Sequence, residues 1–210
     1  MQLANWFVST VVRNTKQSDF MEYNKILIVD AVSRSDGFTK KLVEFFESNI
    51  NTENIFTFEA YKEKFSFCDG CNFCENNECC KYKDLDVFMG EFETADLIVF
   101  ATPVYNGMVS APMKALIERF QPYYTYFYKH NKTQKIEKRR KAIILASAGR
   151  DAETALDYIV TQYKYAFSVT NIEFIGSVLC NFTDTSPNLS KAEEKIKNIL
   201  ERMDLQWRKN

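Results

Sequence analysis

The residues able to do chemistry fall into one cysteine segment and three short polar stretches. Cys68, Cys71, Cys74 and Cys79 follow one another as Cys-x2-Cys-x2-Cys-x4-Cys, Cys80 comes directly after, and the sixth cysteine, Cys180, stands apart. Three thiolates at the first two spacings can take corners of an iron-sulfur cubane, and a fourth a few residues on can close it. The last gap is one residue longer than in the bacterial ferredoxin run, and no proline follows it. A tetrahedral zinc site would ordinarily use two Cys-x2-Cys knuckles parted by a longer loop, which fits less well. The same thiols can also stand reduced or form disulfides, and spacing alone leaves both open. Cys180 ends an apolar run and reads as a small buried hydrophobe.

The polar stretches are Ser33-Arg34-Ser35-Asp36-Gly37-Phe38-Thr39, Thr102-Pro103-Val104-Tyr105-Asn106-Gly107-Met108-Val109-Ser110 and Ser147-Ala148-Gly149-Arg150. Hydroxyls, free backbone amides and the positive end of a helix are what a phosphate requires, and Gly37 lets the backbone turn close to it. A serine-rich helix cap would use the same residues. The stretch has neither the Gly-Lys-Ser/Thr ending of a Walker loop nor the three glycines of a dinucleotide fingerprint. In the second stretch Tyr105 offers a ring or hydroxyl to a ligand, or fills a core.

Each polar stretch follows an apolar run and precedes a helical pattern. Lys25 to Asp30 predicts a central strand buried on both faces, and Leu42, Val43, Phe45 and Phe46 predict a helix reaching Asn49. Further strands are expected over Asn54 to Ala60, Asp96 to Ala101, Ala142 to Ala146 and Ile172 to Cys180. Helices are expected after Asp84 as N-cap, from Ser110 to Phe120, from Ala152 to Ser168 and from Leu189 to Leu205. Residues Gln121 to Arg140, with Tyr123, Tyr124, Tyr126, Phe127 and Tyr128 followed by Lys135, Lys138, Arg139 and Arg140, read as an excursion off the sheet. Its aromatics suit a lid, a subunit contact or a satellite core, and Lys138 to Lys141 suits a solvated strand entry. His130, among polar residues, reads as a surface residue.

Alternating strands and helices predict an α/β fold with a five-stranded, doubly wound parallel sheet, helices on both faces and right-handed crossovers. All three polar stretches then lie at the carboxyl edge, where open α/β sheets bind ligands. One domain over residues 25–210 is expected, with residues 1–24 as an N-terminal arm, the cysteine-rich insertion at 68–80 and the excursion at 121–140. A net charge of -1 argues against nucleic acid or an anionic membrane as partner. No apolar run approaches the roughly 20 residues of a membrane span, and no basic start precedes an apolar stretch, so a cytoplasmic protein is expected.

Ser33 to Thr39 is similar to the first loop of flavodoxin-like proteins, and Thr102 to Lys114 resembles the second loop of the NAD(P)H-dependent FMN reductases within that fold. The resemblance implies FMN, with its phosphate at Ser33, Arg34, Ser35, Gly37, Phe38 and Thr39. Its ribityl chain and ring would lie along Thr102, Pro103, Val104, Tyr105, Asn106 and Gly107 and against Ser147, Ala148, Gly149 and Arg150. Two departures stand out: Phe38 replaces a common Asn, and Asn106 replaces a common aromatic. The cysteine segment resembles that of the iron-sulfur flavoproteins, which join FMN to a 4Fe-4S cluster and act as dimers, implying Cys68, Cys71, Cys74 and Cys79 as ligands. Other FMN reductases carry a similar Cys-x-Gly-Cys segment without a cluster.

The resemblance thus implies an oxidoreductase that takes electrons from NAD(P)H or a redox protein and passes them to a flavin, quinone or similar acceptor, as a homodimer or homotetramer. An electron carrier working with ferredoxin-like partners is the alternative, and a module whose cysteines sense oxidant or metal is a third. No side-chain acid or base is demanded, because the flavin carries the chemistry.

Overall fold

Ile26-Leu27-Ile28-Val29 is apolar at every position, so a strand made of it has to be covered on both faces. In the computed structural model, which describes residues 25–50 and 52–203, this run forms β1 (Ile26–Asp30), fully buried along its length. It pairs in parallel with β2 (Ile55–Glu59) on one side and β3 (Leu97–Tyr105) on the other, Ile26 lying opposite both Ile55 and Leu97. Beyond β3 come β5 (Arg140–Ser147) and β6 (Ile172–Cys180), giving the order β2-β1-β3-β5-β6. The five expected parallel strands are all present.

The pleat sends alternate residues of β1 to opposite cores. Ile26 and Ile28 meet α1 (Phe38–Ser48) and α7 (Leu189–Arg202) through Leu42, Phe46, Ile196 and Ile199. Leu27 and Val29 face the other side, where α3 (Asp86–Thr94), α4 (Ala111–Glu118) and α6 (Glu153–Val169) contribute Phe88, Phe92, Leu116, Leu156 and Tyr163. Each such fully buried side chain contributes about 1.5–3 kcal/mol, so both helical layers are held by the sheet they cover.

Four expectations are corrected. The second polar stretch is only partly a loop, because β3 runs on to Tyr105, turns at Asn106 (φ 51°) and Gly107 (φ 77°), and returns as β4 (Met108–Val109). Val104 pairs with Val109 and Tyr105 with Met108. Two consecutive left-handed residues make the turn whose twist matches a hairpin, which is why Asn-Gly suits it. Asp84 is not an N-cap: α3 starts at Asp86, and Asp84 instead accepts hydrogen bonds from the Ser66 amide (2.6 Å) and Arg119 Nη1 (2.8 Å). Arg140 is not a solvated entry residue. It is buried, donates to the carbonyls of Phe92 and Thr170, and stacks over the Phe92 ring; burial lowers its pKa to about 10. His130 is half-buried, and its Nε2 donates to the Glu75 carbonyl at 2.8 Å.

The expected N-terminal arm at 1–24 and the expected end of the last helix at Leu205 lie outside the described residues. Among the described residues, no helix is long and apolar enough to cross a membrane.

Candidate functional site

The ends of β1, β3 and β5 converge on a cleft of about 530 Å³ at the carboxyl edge of the sheet. Its first wall is the turn into α1. Asp30, buried at the end of β1, accepts from the Val32 amide (3.0 Å) and from Lys40 Nζ (3.1 Å), which fixes the turn to the helix it feeds. Burial opposes the Lys40 ammonium, and the Asp30 carboxylate outweighs it, so the Lys40 pKa is raised. α1 opens on Gly37 without a side-chain cap. The amides of its first turn therefore stay available toward the cleft, together with the positive end of the helix.

Thr39 on that turn and Ser147 at the end of β5 are both buried, and their hydroxyls meet at 2.6 Å. This pair ties the first wall to the third, across the end of β3. The β3–β4 hairpin supplies Pro103, Val104, Tyr105 and Asn106 as the second wall. Its return is anchored at Ser110, whose amide donates to Thr102 Oγ1 (3.0 Å) and whose hydroxyl donates to the Ala31 carbonyl (3.1 Å). Tyr105 and Ser33 hydroxyls meet across the mouth at 3.3 Å. The third wall is Ser147, Ala148 and Gly149, backed by Thr183 and Asp184. The Thr183 amide donates to the Ala148 carbonyl (3.0 Å), and a Cβ at Gly149 would fall 2.2 Å from Asp184 Oδ2.

Twelve residues expected here border the cleft: Ser33, Arg34, Gly37, Phe38, Thr39, Pro103, Val104, Tyr105, Asn106, Ser147, Ala148 and Gly149. Ser35, Thr102, Gly107 and Arg150 are not on its walls. Thr102 is fully buried and braces the hairpin, Gly107 makes its turn, and Ser35 and Arg150 are exposed. Arg34 is engaged with Asp36 at 3.3 Å in the open mouth, and the hydrogen bond and charge of each partner raise the arginine's pKa and lower the carboxyl's. Asp36 and Ser110 lie in the expected polar stretches without having been assigned a role, and Asp30, Val32, Thr183 and Asp184 lie outside them. Asp30 alone gave a local signal, an acid closing an apolar strand, whereas Thr183 and Asp184 arrive from a fourth strand end.

The cysteine segment builds a second cavity, also about 530 Å³. Cys68, Cys71, Cys74 and Cys80 line it, with Phe73, Tyr82, Arg119, Pro122, Tyr124 and Tyr128 among its other walls; Cys79 does not. Left-handed backbone at Gly70 (φ 66°), Asn72 (φ 58°) and Glu78 (φ 53°) makes the tight turns around α2 (Phe73–Asn77). Arg119, only 2% exposed, closes the base of the segment by donating to the carbonyls of Ser66 (2.6 Å) and Tyr82 (3.0 Å) and to Asp84. Burial disfavours the Asp84 charge, but the Ser66 amide and the Arg119 guanidinium together hold its carboxyl below the usual range.

The aromatic excursion covers this second cavity rather than the cleft. Gln121–Tyr124 is a helical turn, α5, that widens into a π-helical turn at Thr125–Lys129. Thr125 Oγ1 lies 3.6 Å from Cys74 Sγ, while Lys129 pairs with Glu75 and Lys132 with Glu78. Tyr123 instead packs on Phe92 and Phe120, its hydroxyl donating to Glu93 at 2.7 Å.

The model of the family described as "flavodoxin-like fold" matches residues 24–206. An iron-sulfur flavoprotein of Methanocaldococcus jannaschii is 34% identical over 111 residues, covering 51% of this chain and 58% of that protein, so the chain matches little more than half of that relative's length. FMN-dependent NADH:quinone oxidoreductase 1 of Colwellia psychrerythraea is 28% identical over 193 residues, 83% of this chain and 99% of the relative. The crystal structure of an FMN-dependent NADH-azoreductase from Bacillus anthracis in complex with FMN superposes with a TM-score of 0.63 at 17% identity, over 86% of this chain and 98% of that one.

Proposed function

The chain belongs to the family of the flavodoxin-like fold, and on that premise we propose that it is an FMN-dependent oxidoreductase transferring electrons from NAD(P)H or a redox protein to a flavin, quinone or similar acceptor. The observation that carries this is the Thr39–Ser147 hydroxyl pair, buried beside the uncapped start of α1 in the cleft. A phosphate is held by hydrogen-bond donors, and hydroxyls together with the free first-turn amides of a helix supply them without a basic side chain. Lys40 is held by the buried Asp30, and Arg34 stands on the cleft wall in an exposed pair with Asp36.

Pro103 to Asn106 and Ser147 to Gly149 would flank the ring. The Ala148 amide is spent on the Cys180 carbonyl (2.9 Å), which leaves the Gly149 amide, on the cleft wall, for the polar ring edge. FMN, when bound, supplies the electron-accepting ring; the chain binds it, orients it and shields it from water. The named activities of the relatives support this reading, as does the cleft's size, within the range of small-molecule sites. Its test is titration of flavin-free protein with FMN, followed by turnover with NADH, NADPH and reduced ferredoxin. Micromolar or tighter binding and nicotinamide-dependent reduction are expected, and a colourless protein that ignores FMN would overturn it.

A second reading is favoured by four cysteines sharing one cavity: an iron-sulfur flavoprotein that carries electrons to or from ferredoxin-type partners. We place either form in the cytoplasm as a homodimer or homotetramer, which light scattering would check.

A further inference from the structure

The outward face of α6 carries residues that the fold does not use. Its inward face, with Leu156, Ile159, Tyr163 and Phe167, is buried against the sheet. On the opposite side Thr154, Tyr158, Thr161, Tyr165 and Ser168 follow at steps of four, three, four and three, and all five are exposed. That alternation keeps side chains in one straight seam along a helix, the spacing with which helices pack on each other. Tyr158 and Tyr165 are 66% and 72% exposed. A helix of this protein that only meets water looks different: α7 turns Lys191, Glu194, Lys195 and Lys197 outward.

The seam is self-complementary. Tyr158 and Tyr165 stand about evenly on either side of Thr161, and so do Asp157 and Lys164, which share one flank of the seam because seven residues make two turns. A two-fold axis through Thr161 and across the helix lays a second copy antiparallel on the first. Tyr158 then meets Tyr165 of the second copy, Asp157 meets its Lys164, and each contact is made twice. Thr161 at the centre and Thr154 and Ser168 near the ends are small enough to let the helices approach. Asp157 and Lys164 are exposed, and neither is in an ion pair among the described residues; Lys164 lies only distantly over the Phe174 ring, at 6.0 Å.

We propose that α6 pairs with α6 of a second copy of this chain, antiparallel about Thr161, through the two tyrosines and the Asp157–Lys164 pair. This gives the homo-oligomer placed above a contact surface, and it rests on that reading and not on the cofactor. The 17 residues of α6 make a strip roughly 25 Å long and about 10 Å wide, well short of the roughly 800 Å² per partner of a standard interface, so the pairing depends on concentration.

The test is sedimentation of the full chain over a range of concentrations, for the wild type, Asp157→Lys, Lys164→Asp, the two exchanges combined, and Tyr165→Ser, with circular dichroism as a check on folding. The wild type self-associates as concentration rises. Each single exchange sets like charges together twice per dimer and weakens association roughly tenfold or more, and the combined exchange restores it because the pair is only reversed. Tyr165→Ser weakens association with its dichroism unchanged. Single exchanges that leave association intact, or a combined exchange that fails to restore it, overturn this surface while leaving the homo-oligomer reading intact. A wild-type chain that stays monomeric at every concentration overturns that reading and this inference with it, and leaves the seam to a different protein.

Discussion

The cleft and the cysteine cavity have equal volumes, about 530 Å³ each, and are built by different means. The cleft is made by the sheet: parallel strands end together, and their turns bring amides and small hydroxyls to one rim. The cysteine cavity lies off the sheet, and its shape depends on one buried arginine and on the ion pair of Glu75 in α2 with Lys129 in the π-helical turn. A site built on strand ends inherits the stability of the core, whereas a clamped segment can open by itself. The two should therefore respond differently to substitution.

The largest effect is expected from Arg119→Met. It removes the clamp and leaves Asp84 without its cationic partner, a loss of roughly 2–4 kcal/mol for breaking a largely buried ion pair. Urea denaturation would measure it. FMN affinity should change far less than stability, and a parallel loss of FMN would show that the two regions are one unit.

Next is Thr39→Val, which leaves the buried Ser147 hydroxyl without its neighbour and removes one phosphate donor. FMN affinity should fall roughly tenfold or more, about 1.4 kcal/mol or above, in a fluorescence titration. Reconstituted iron content should stay as in the wild type. An unchanged FMN affinity would move the phosphate away from the Thr39–Ser147 pair.

Acid should reach the clamp through Asp84. Its folded-state pKa is lowered, so its contribution is complete above the ordinary carboxylate pKa and fades as pH falls through the lower, folded value. Stability should decline below about pH 4, the ordinary aspartate range, and this part of the decline should shrink in Arg119→Met, where only the Ser66 amide still favours the charged form. Equal acid slopes in the two proteins would remove Asp84 from the account.

The smallest effect is expected from Tyr105→Phe. Its contact with Ser33 is long and exposed, so losing it should cost below about 1 kcal/mol, or less than roughly fivefold in FMN affinity. A larger shift would mean that the tyrosine hydroxyl contacts the ligand itself.

Much of the cleft was legible because its parts are local. An apolar run such as Ile26–Val29 must be a covered strand, and serines, a glycine and a threonine directly after it must sit at that strand's carboxyl end. The Asn106-Gly107 turn was written in the sequence as well, since that pair tolerates two left-handed residues, but Pro103 disguised the strand before it. Thr183 and Asp184 were not legible, because nothing near them in sequence says that the turn after β6 folds back onto Gly149.

By itself the sequence determined the parallel α/β order, the three polar turns at one edge and the grouping of five cysteines, because hydrophobic periodicity and turn chemistry act over a few residues. Tertiary structure alone decided which cysteines share a cavity, that Arg119 and Arg140 are buried, and that Tyr124 and Tyr128 cover the thiols and not the cleft. Those outcomes depend on contacts between residues about 50 apart, such as Arg119 with Ser66 and Arg140 with Phe92, and no local pattern encodes them.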